Sequence, residues 1–145
     1  MNLEKALGAG KPASVQKISL YLPERDSDNA PVPDIEKWIE SAMWLLGEIN
    51  RGATRLPAAQ GYWHPTGSWE TTHVVYSYIG EQKIFEANLD RLVRFIHSFG
   101  KHARQSSVMV EFSGEVGRGA ARRFVARAYF IDKYDKAGPE PSRGG

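Results

Sequence analysis

Between Gly52 and Ile79 the chain sets a glycine-punctuated loop, two tryptophans (Trp63, Trp69), two histidines (His64, His73) and one acid (Glu70) around the start of a strongly β-prone run. Small polar and aromatic groups crowded at the mouth of a strand are the materials of a binding or catalytic site. The chemistry open to them is narrow. His64, Glu70 and His73 carry metal-ligating groups, with His97 and His102 further on, but none has the H-E-x-x-H spacing that sets two imidazoles on one helical face. In a regular strand Glu70 and His73 point to opposite faces, so no metal site is expected. Ser106 and Ser107 have no base at a defined spacing, and the glycines of 114–119 lack the lysine and following helix of a phosphate cradle. With no cysteine there is no thiolate nucleophile, no thiolate zinc site and no disulfide. No catalytic or metal signature in this stretch is specific, so its residues name no reaction by themselves.

At 145 residues, with 41% hydrophobic and 25% charged residues, the chain has the make-up of one ordinary globular domain, which argues against disorder. Its longest apolar runs, such as Met43–Leu46, are far too short to span a bilayer, and residues 1–14 hold no apolar segment of the kind that directs export. A cytoplasmic protein without membrane contact or cofactor is expected. The net charge of +2 is unevenly placed. From Arg91 to Phe130 the basic residues Arg91, Arg94, Lys101, Arg104, Arg118, Arg122, Arg123 and Arg127 face only Glu111 and Glu115, whereas Glu24–Glu48 leans acidic. A basic half can draw phosphates or an acidic partner, while a solvated surface is the plainer reading.

The elements that must hold these residues follow from periodicity. Ile18, Leu20 and Leu22 alternate with Lys17, Ser19 and Tyr21, which predicts a strand over Val15–Leu22. Asp34 then offers an N-cap to a helix with the stripe Ile35, Ile39, Ala42, Leu46 and Ile49, closed by Gly52. A second helix carries Phe85, Leu89, Leu92, Ile96 and Phe99 and is stopped by Gly100. A short strand around Gln60–His64 turns through Pro65–Ser68 into a strand over Thr71–Ile79. Ser107–Ser113 sets Val108, Val110 and Phe112 on one face. Ala121–Ile131 sets Phe124, Ala126, Ala128 and Phe130 inward and Arg123, Val125, Arg127 and Tyr129 outward, after a glycine-rich hairpin loop at Gly114–Gly119.

This order describes an α+β domain over 15–135, with a flexible leader over 1–14 and a flexible tail over 136–145. Its arrangement is the split βαβ, ferredoxin-like one: an antiparallel sheet of about five strands with two helices on one face. The open face would carry Lys17, Ser19, Tyr21, Met109, Glu111, Arg127 and Tyr129. Either parity of Thr71–Ile79 could be buried, because Val74, Tyr76 and Tyr78 form one apolar set and Val75 and Ile79 another.

The pattern Gly52-x-Thr54-x-Leu56-x-x-Ala59-x-Gly61-x-Trp63, then Glu70, then Gln105-x-Ser107-Val108, resembles an uncharacterised family of small bacterial α+β proteins, a domain of unknown function. There a Gly-x-Thr segment leads to a Gly-x-Trp, an acid and a terminal Gln-x-Ser-Val. The resemblance runs from roughly Trp38 to Phe112 and implies no established activity. It implies that Thr54, Trp63, Glu70, Gln105 and Ser107 belong together. Such a group could be an acid/base carboxylate beside a substrate-orienting amide, or a polar clasp in which Gln105 and the hydroxyls satisfy a buried Glu70. The clasp is the commoner fate of buried polar groups.

Three function classes fit. The leading one is a non-catalytic binding or assembly module that uses the open sheet face and the basic C-terminal half. Tyr21 and Tyr129, flanked by Arg123 and Arg127, could stack the bases of a nucleic acid or meet a second sheet in a homo-oligomer. The alternative is a small metal-independent enzyme with an acid/base site centred on Glu70. The third is an accessory subunit of a larger complex.

Overall fold

The computed structural model describes residues 1–10 and 16–139. In chain order these form helix α1 (Leu3–Leu7), strand β1 (Lys17–Pro23), helix α2 (Ile35–Asn50), strands β2 (Thr54–Trp63) and β3 (Ser68–Tyr78), helices α3 (Gln82–Ala87) and α4 (Leu89–His102), and strands β4 (Val108–Val116) and β5 (Arg123–Ile131). The strands make one antiparallel five-stranded sheet in the order β2-β3-β1-β4-β5. This is the split βαβ order expected from the alternation, extended by β5 as a hairpin strand. The expected strand start at Val15 and the tail beyond Pro139 lie outside the described residues. None of the helices among the described residues is long and apolar enough to cross a membrane.

One buried cluster joins Ile39, Ala42, Leu46 and Ile49 of α2 and Phe85, Leu92, Ile96 and Phe99 of α3 and α4 to Ile18, Leu20, Leu22, Val75, Val108 and Val110 of the sheet. The i, i+3, i+4 spacing of the helical residues and the period of two in the strands converge on it. Leu20, Leu46 and Leu92 are each at or below 1% exposed, and full burial of such a side chain contributes about 1.5–3 kcal/mol. Trp38 meets Phe95 and Phe99 edge-on, at ring separations of 6.0 and 5.4 Å.

The helix ends differ from those the sequence suggests. Asp34 adopts a left-handed conformation (φ 57°) and makes no side-chain cap; its backbone carbonyl instead accepts from the amides of Lys37 and Trp38. The left-handed residue closing α2 is Arg51 (φ 69°), one position before Gly52. The second predicted helix is two helices, broken at Asn88, whose side-chain amide donates to the Ile84 carbonyl at 2.8 Å. The break leaves the stripe residue Leu89 exposed. Gly100 does not stop α4, which runs two residues further. Its missing side chain makes room for Tyr134, since a Cβ built at Gly100 would overlap that ring. The Tyr134 hydroxyl donates to the Gln105 backbone carbonyl at 2.9 Å, and burial raises its pKa. Behind it the chain doubles back over α4. The Gly138 amide donates to Ser98 Oγ at 2.8 Å, and the Gly138 carbonyl accepts from His102 Nε2 at 2.8 Å. Residues 136–139 of the expected tail are therefore tied to a helix.

Strand register settles the faces. Ile18 pairs with Ser77, Leu20 with Val75 and Leu22 with His73, so these side chains share the face of the core, while Val74, Tyr76 and Tyr78 lie with Tyr21 and Ser19 on the open face. On β5 the sequence expectation is reversed. Tyr129 pairs with Val110 and Arg127 with Phe112, whereas Phe124, Ala126, Ala128 and Phe130 pair with Glu115, Ser113, Glu111 and Met109. Arg123, Arg127 and Tyr129 thus lie on the parity of Val108 and Val110, and do not share a face with Tyr21. The cause is the hairpin: its length sets the register, and a shift of one residue exchanges the faces. Nor is the expected inward set buried. β5 is an edge strand, and Phe124 and Phe130 are exposed.

Gly100→Ala is expected to lower stability by about 1–3 kcal/mol through overpacking against Tyr134. In a Tyr134→Ala background the same change should cost almost nothing. Strictly additive losses in urea melts would show that the helix and the returning segment do not touch.

Candidate active site on the open sheet face

β2 and β3 pair from Thr54 and Tyr76 out to Trp63 and Ser68, but β1 accompanies β3 only as far as Thr72. The rest of the hairpin projects as a two-stranded ribbon on which Tyr62, Trp63 and Trp69 are exposed. A β-bulge interrupts β2 between Leu56 and Ala59, and Ala58 there takes a left-handed φ of 39°. The extra residue inverts the alternation of everything beyond it. As a result Ala59, Gly61 and Trp63 share a face with Thr72, Glu70 and Ser68, their direct partners. Without the bulge Trp63 would project from the other side.

These residues outline a notch. Across from Glu70 and Thr72 stand only Ala59 and Gly61, and a Cβ built at Gly61 would meet nothing nearer than the Glu70 carbonyl at 3.9 Å. The Glu70 carboxylate has no hydrogen-bond or ion-pair partner among the described residues. Its side chain reaches the surface, yet it is crowded enough that desolvation raises its carboxyl above the ordinary range. The hydroxyl of Thr72, two residues on, is buried and also lacks a partner.

Further along the same face a second acid sits in a different setting. Glu111 accepts a hydrogen bond from the Tyr21 hydroxyl and lines a groove of about 430 Å³ with Lys17, Ser19, Ser113, Ala126 and Ala128. The Lys17 ammonium lies 5.3 Å from the Tyr76 ring centre. Glu111 pairs with Ser19, which pairs with Tyr76, six residues along β3 from Glu70. At about 3.3 Å per residue the two acids are about 20 Å apart along the strands, so within one chain they form separate sites.

On the helix side of the hairpin His73 is buried, its Nε2 at 2.7 Å from Glu24 and its Nδ1 at 3.5 Å from the Arg55 guanidinium. A guanidinium only donates, so Nδ1 accepts and Nε2 carries the proton given to Glu24. Arg55 in turn holds Glu36 through two bonds of 2.7 and 2.8 Å, and these hold the Glu36 carboxyl below its usual range. Glu70 and His73 lie on opposite faces, as the alternation predicts.

The grouping implied by the resemblance is only partly realised. Trp63 and Glu70 are diagonal neighbours on one face. Thr54 is at the other end of β2, paired with Tyr76. Gln105 is buried and clasps a different loop, donating to the carbonyls of Arg25 (3.0 Å) and Ala103 (3.1 Å). Ser107 precedes β4 and is not part of the notch. Thr72 and Glu111 were not singled out from the sequence as site residues. Alternation alone puts Glu111 on the open face, whereas the position of Thr72 depends on the register. The basic half is also less free than its sequence suggests, because Arg91 pairs with Glu48, Arg104 with Asp28 and Arg122 with Glu115.

No family model matches the sequence, and no curated protein matches it. In fold it is similar to a phage SAM lyase in the apo state, with a TM-score of 0.56 and 13% identity over 85% of this chain and 93% of that one. The phage SAM lyase in complex with S-methyl-5'-thioadenosine aligns with a TM-score of 0.51 and 13% identity, over 87% and 98% of the two chains. This likeness overturns the expectation of a non-catalytic binding or assembly module. Both of these structures are of an enzyme, which favours the enzymatic alternative over the binding module.

Because no described residue gives Glu70 a hydrogen bond, Glu70→Gln and Glu70→Ala are expected to match the native chain in urea melts at neutral pH, to within about 0.5 kcal/mol. His73→Ala, which empties a buried position and removes the partner of Glu24, should cost about 1–3 kcal/mol. An equal loss at Glu70 would mark that residue as a structural clasp.

Proposed function

We propose that this chain is a small lyase acting on a sulfonium nucleoside of the S-adenosylmethionine type, with Glu70 as its acid/base group. The observation that carries this reading is the fold shared with a SAM lyase along nearly the whole of both chains. A carboxylate without a partner among the described residues, above an open notch on the same domain, supports it. An ionised carboxylate suits a cationic substrate, and a raised pKa makes it a stronger base than an ordinary glutamate.

Release of S-methyl-5'-thioadenosine requires the bond between sulfur and the amino-acid side chain to break, with its electron pair passing to sulfur. The vacated carbon is then filled from within the fragment. Either an adjacent C–H bond supplies the pair and Glu70 takes the proton, or the fragment's own carboxylate closes on the carbon. The first route yields an alkene and the second a lactone. Glu70 acts as base in the first and as counter-ion to the bound cation in the second.

The test is incubation of the purified chain with S-adenosylmethionine and chromatography of the products. Formation of S-methyl-5'-thioadenosine is expected, reduced in Glu70→Gln by at least about a hundredfold where the co-product is the alkene, the lower bound typical for loss of an acid/base group, and by less where it is the lactone. Activity needs the ionised carboxylate, so it should rise with pH through a midpoint above the ordinary carboxylate range, and this limb should vanish in Glu70→Gln. No cleavage by the native chain, or full activity in Glu70→Gln, overturns the assignment.

Self-association belongs to the same proposal. β5 offers an unpaired edge with Phe124 and Phe130 exposed on it, the kind of surface that soluble proteins usually cover. The solution mass should exceed that of one 16.2 kDa chain and fall toward it in Phe124→Asp with Phe130→Asp. A native chain that runs as a monomer removes this part.

A further inference from the structure

The notch on the hairpin has features that proton transfer by Glu70 does not use. Trp63 stands on the Glu70 face, two pairs nearer the tip, 58% exposed and without a ring contact among the described residues. The neighbouring aromatics differ: Tyr62 and Trp69 project from the opposite face and lie against each other, with ring centres 4.9 Å apart. Thr72 stands two pairs nearer the body of the sheet, with its buried hydroxyl unpartnered among the described residues. Between the two, Ala59 and Gly61 leave the surface low. The left-handed backbone at Ala58 is a strained conformation for an alanine, and it occurs at the bulge that brings Trp63 round to this face.

A flat ring and a free carboxylate beside a shallow space match a nucleoside, and the Thr72 hydroxyl lies beneath that surface without a partner among the described residues. An indole stacks on any purine, and a threonine hydroxyl can donate or accept at a polar edge of the sugar, which leaves the carboxylate to the sulfonium side. Trp63 and Thr72 are four residues apart in register, about 13 Å, which is the scale of one nucleoside and too short for a peptide or a nucleic-acid strand. We infer that Trp63, Glu70 and Thr72 form a nucleoside subsite on the open face of the hairpin, in which Trp63 stacks on the base and Thr72 orients the sugar beside Glu70. The choice of adenosine as the nucleoside rests on the lyase reading above; the subsite itself rests on the geometry.

The full-length chain is titrated with S-methyl-5'-thioadenosine by calorimetry, and turnover of S-adenosylmethionine is followed in parallel. Trp63→Ala should weaken binding about tenfold or more, with Trp63→Phe recovering most of it. Thr72→Val should weaken binding about fivefold, and Thr72→Ser should be neutral. Trp69→Ala, on the other face, should leave affinity unchanged. In turnover the Trp63 and Thr72 variants should raise KM while kcat stays near native, a split that partial unfolding does not produce. Native affinity in Trp63→Ala, an equal loss in Trp69→Ala, or no binding by the native chain each overturns the subsite. Binding that depends on Trp63 without any cleavage supports the subsite and overturns the lyase reading alone. Cleavage with an unchanged KM in Trp63→Ala does the reverse.

Discussion

The pleat of a β-strand repeats every two residues, so the single extra residue that β2 carries between Leu56 and Ala59 inverts the facing of every residue beyond it. The candidate site depends on that inversion. It sets Trp63 beside Glu70, puts Gly61 opposite Glu70, and sends Tyr62 to the far side, where it lies against Trp69. Ala58 bears the cost as a left-handed φ in a residue with a Cβ.

A projecting hairpin is a useful carrier only if its base is rigid. Here the base is braced on the helix side by Glu24, His73, Arg55 and Glu36, a run of hydrogen bonds from the end of β1 across β3 and β2 to the first turn of α2. His73 is buried, so its partners are fixed in place, while the outer part of the chain of bonds is at the surface and adds less. The opposite face of the same strands is left free for Glu70 and Thr72. One strand thus serves stability through its odd-numbered residues and the candidate site through its even-numbered ones.

The charges obey the same economy of faces. The acidic segment Glu24–Glu48 and the basic segment that follows Arg91 look like separate poles in the sequence. In the fold they meet, as Asp28 with Arg104 and Glu48 with Arg91, and the apparent basic surface shrinks accordingly. At the other end of the molecule Gly100 serves packing. Its bare backbone accepts the ring of Tyr134 and so fastens the segment after β5 to α4.

The sequence by itself determined the elements that repeat with a period: β1 with Ile18, Leu20 and Leu22 inward, the stripe of α2, most of the stripe through α3 and α4, and from their order the split βαβ topology. Burial of those stripes is local in cause, because spacing along one element decides it. Glu70 was also legible, as the one acid set beside aromatics at a strand mouth. Tertiary structure decided whatever depends on how two elements meet. The bulge and the β4–β5 hairpin set the registers, and a register is a relation between strands that neither strand carries alone. That is why Arg127 and Tyr129 changed faces, why Gln105 clasps the Arg25 loop and leaves Glu70 free, and why Gly100 proved to be a seat for Tyr134 while α4 continued past it. The slip also decides what faces Glu70: it brings Gly61 across the ladder, where the unslipped register would put Gln60.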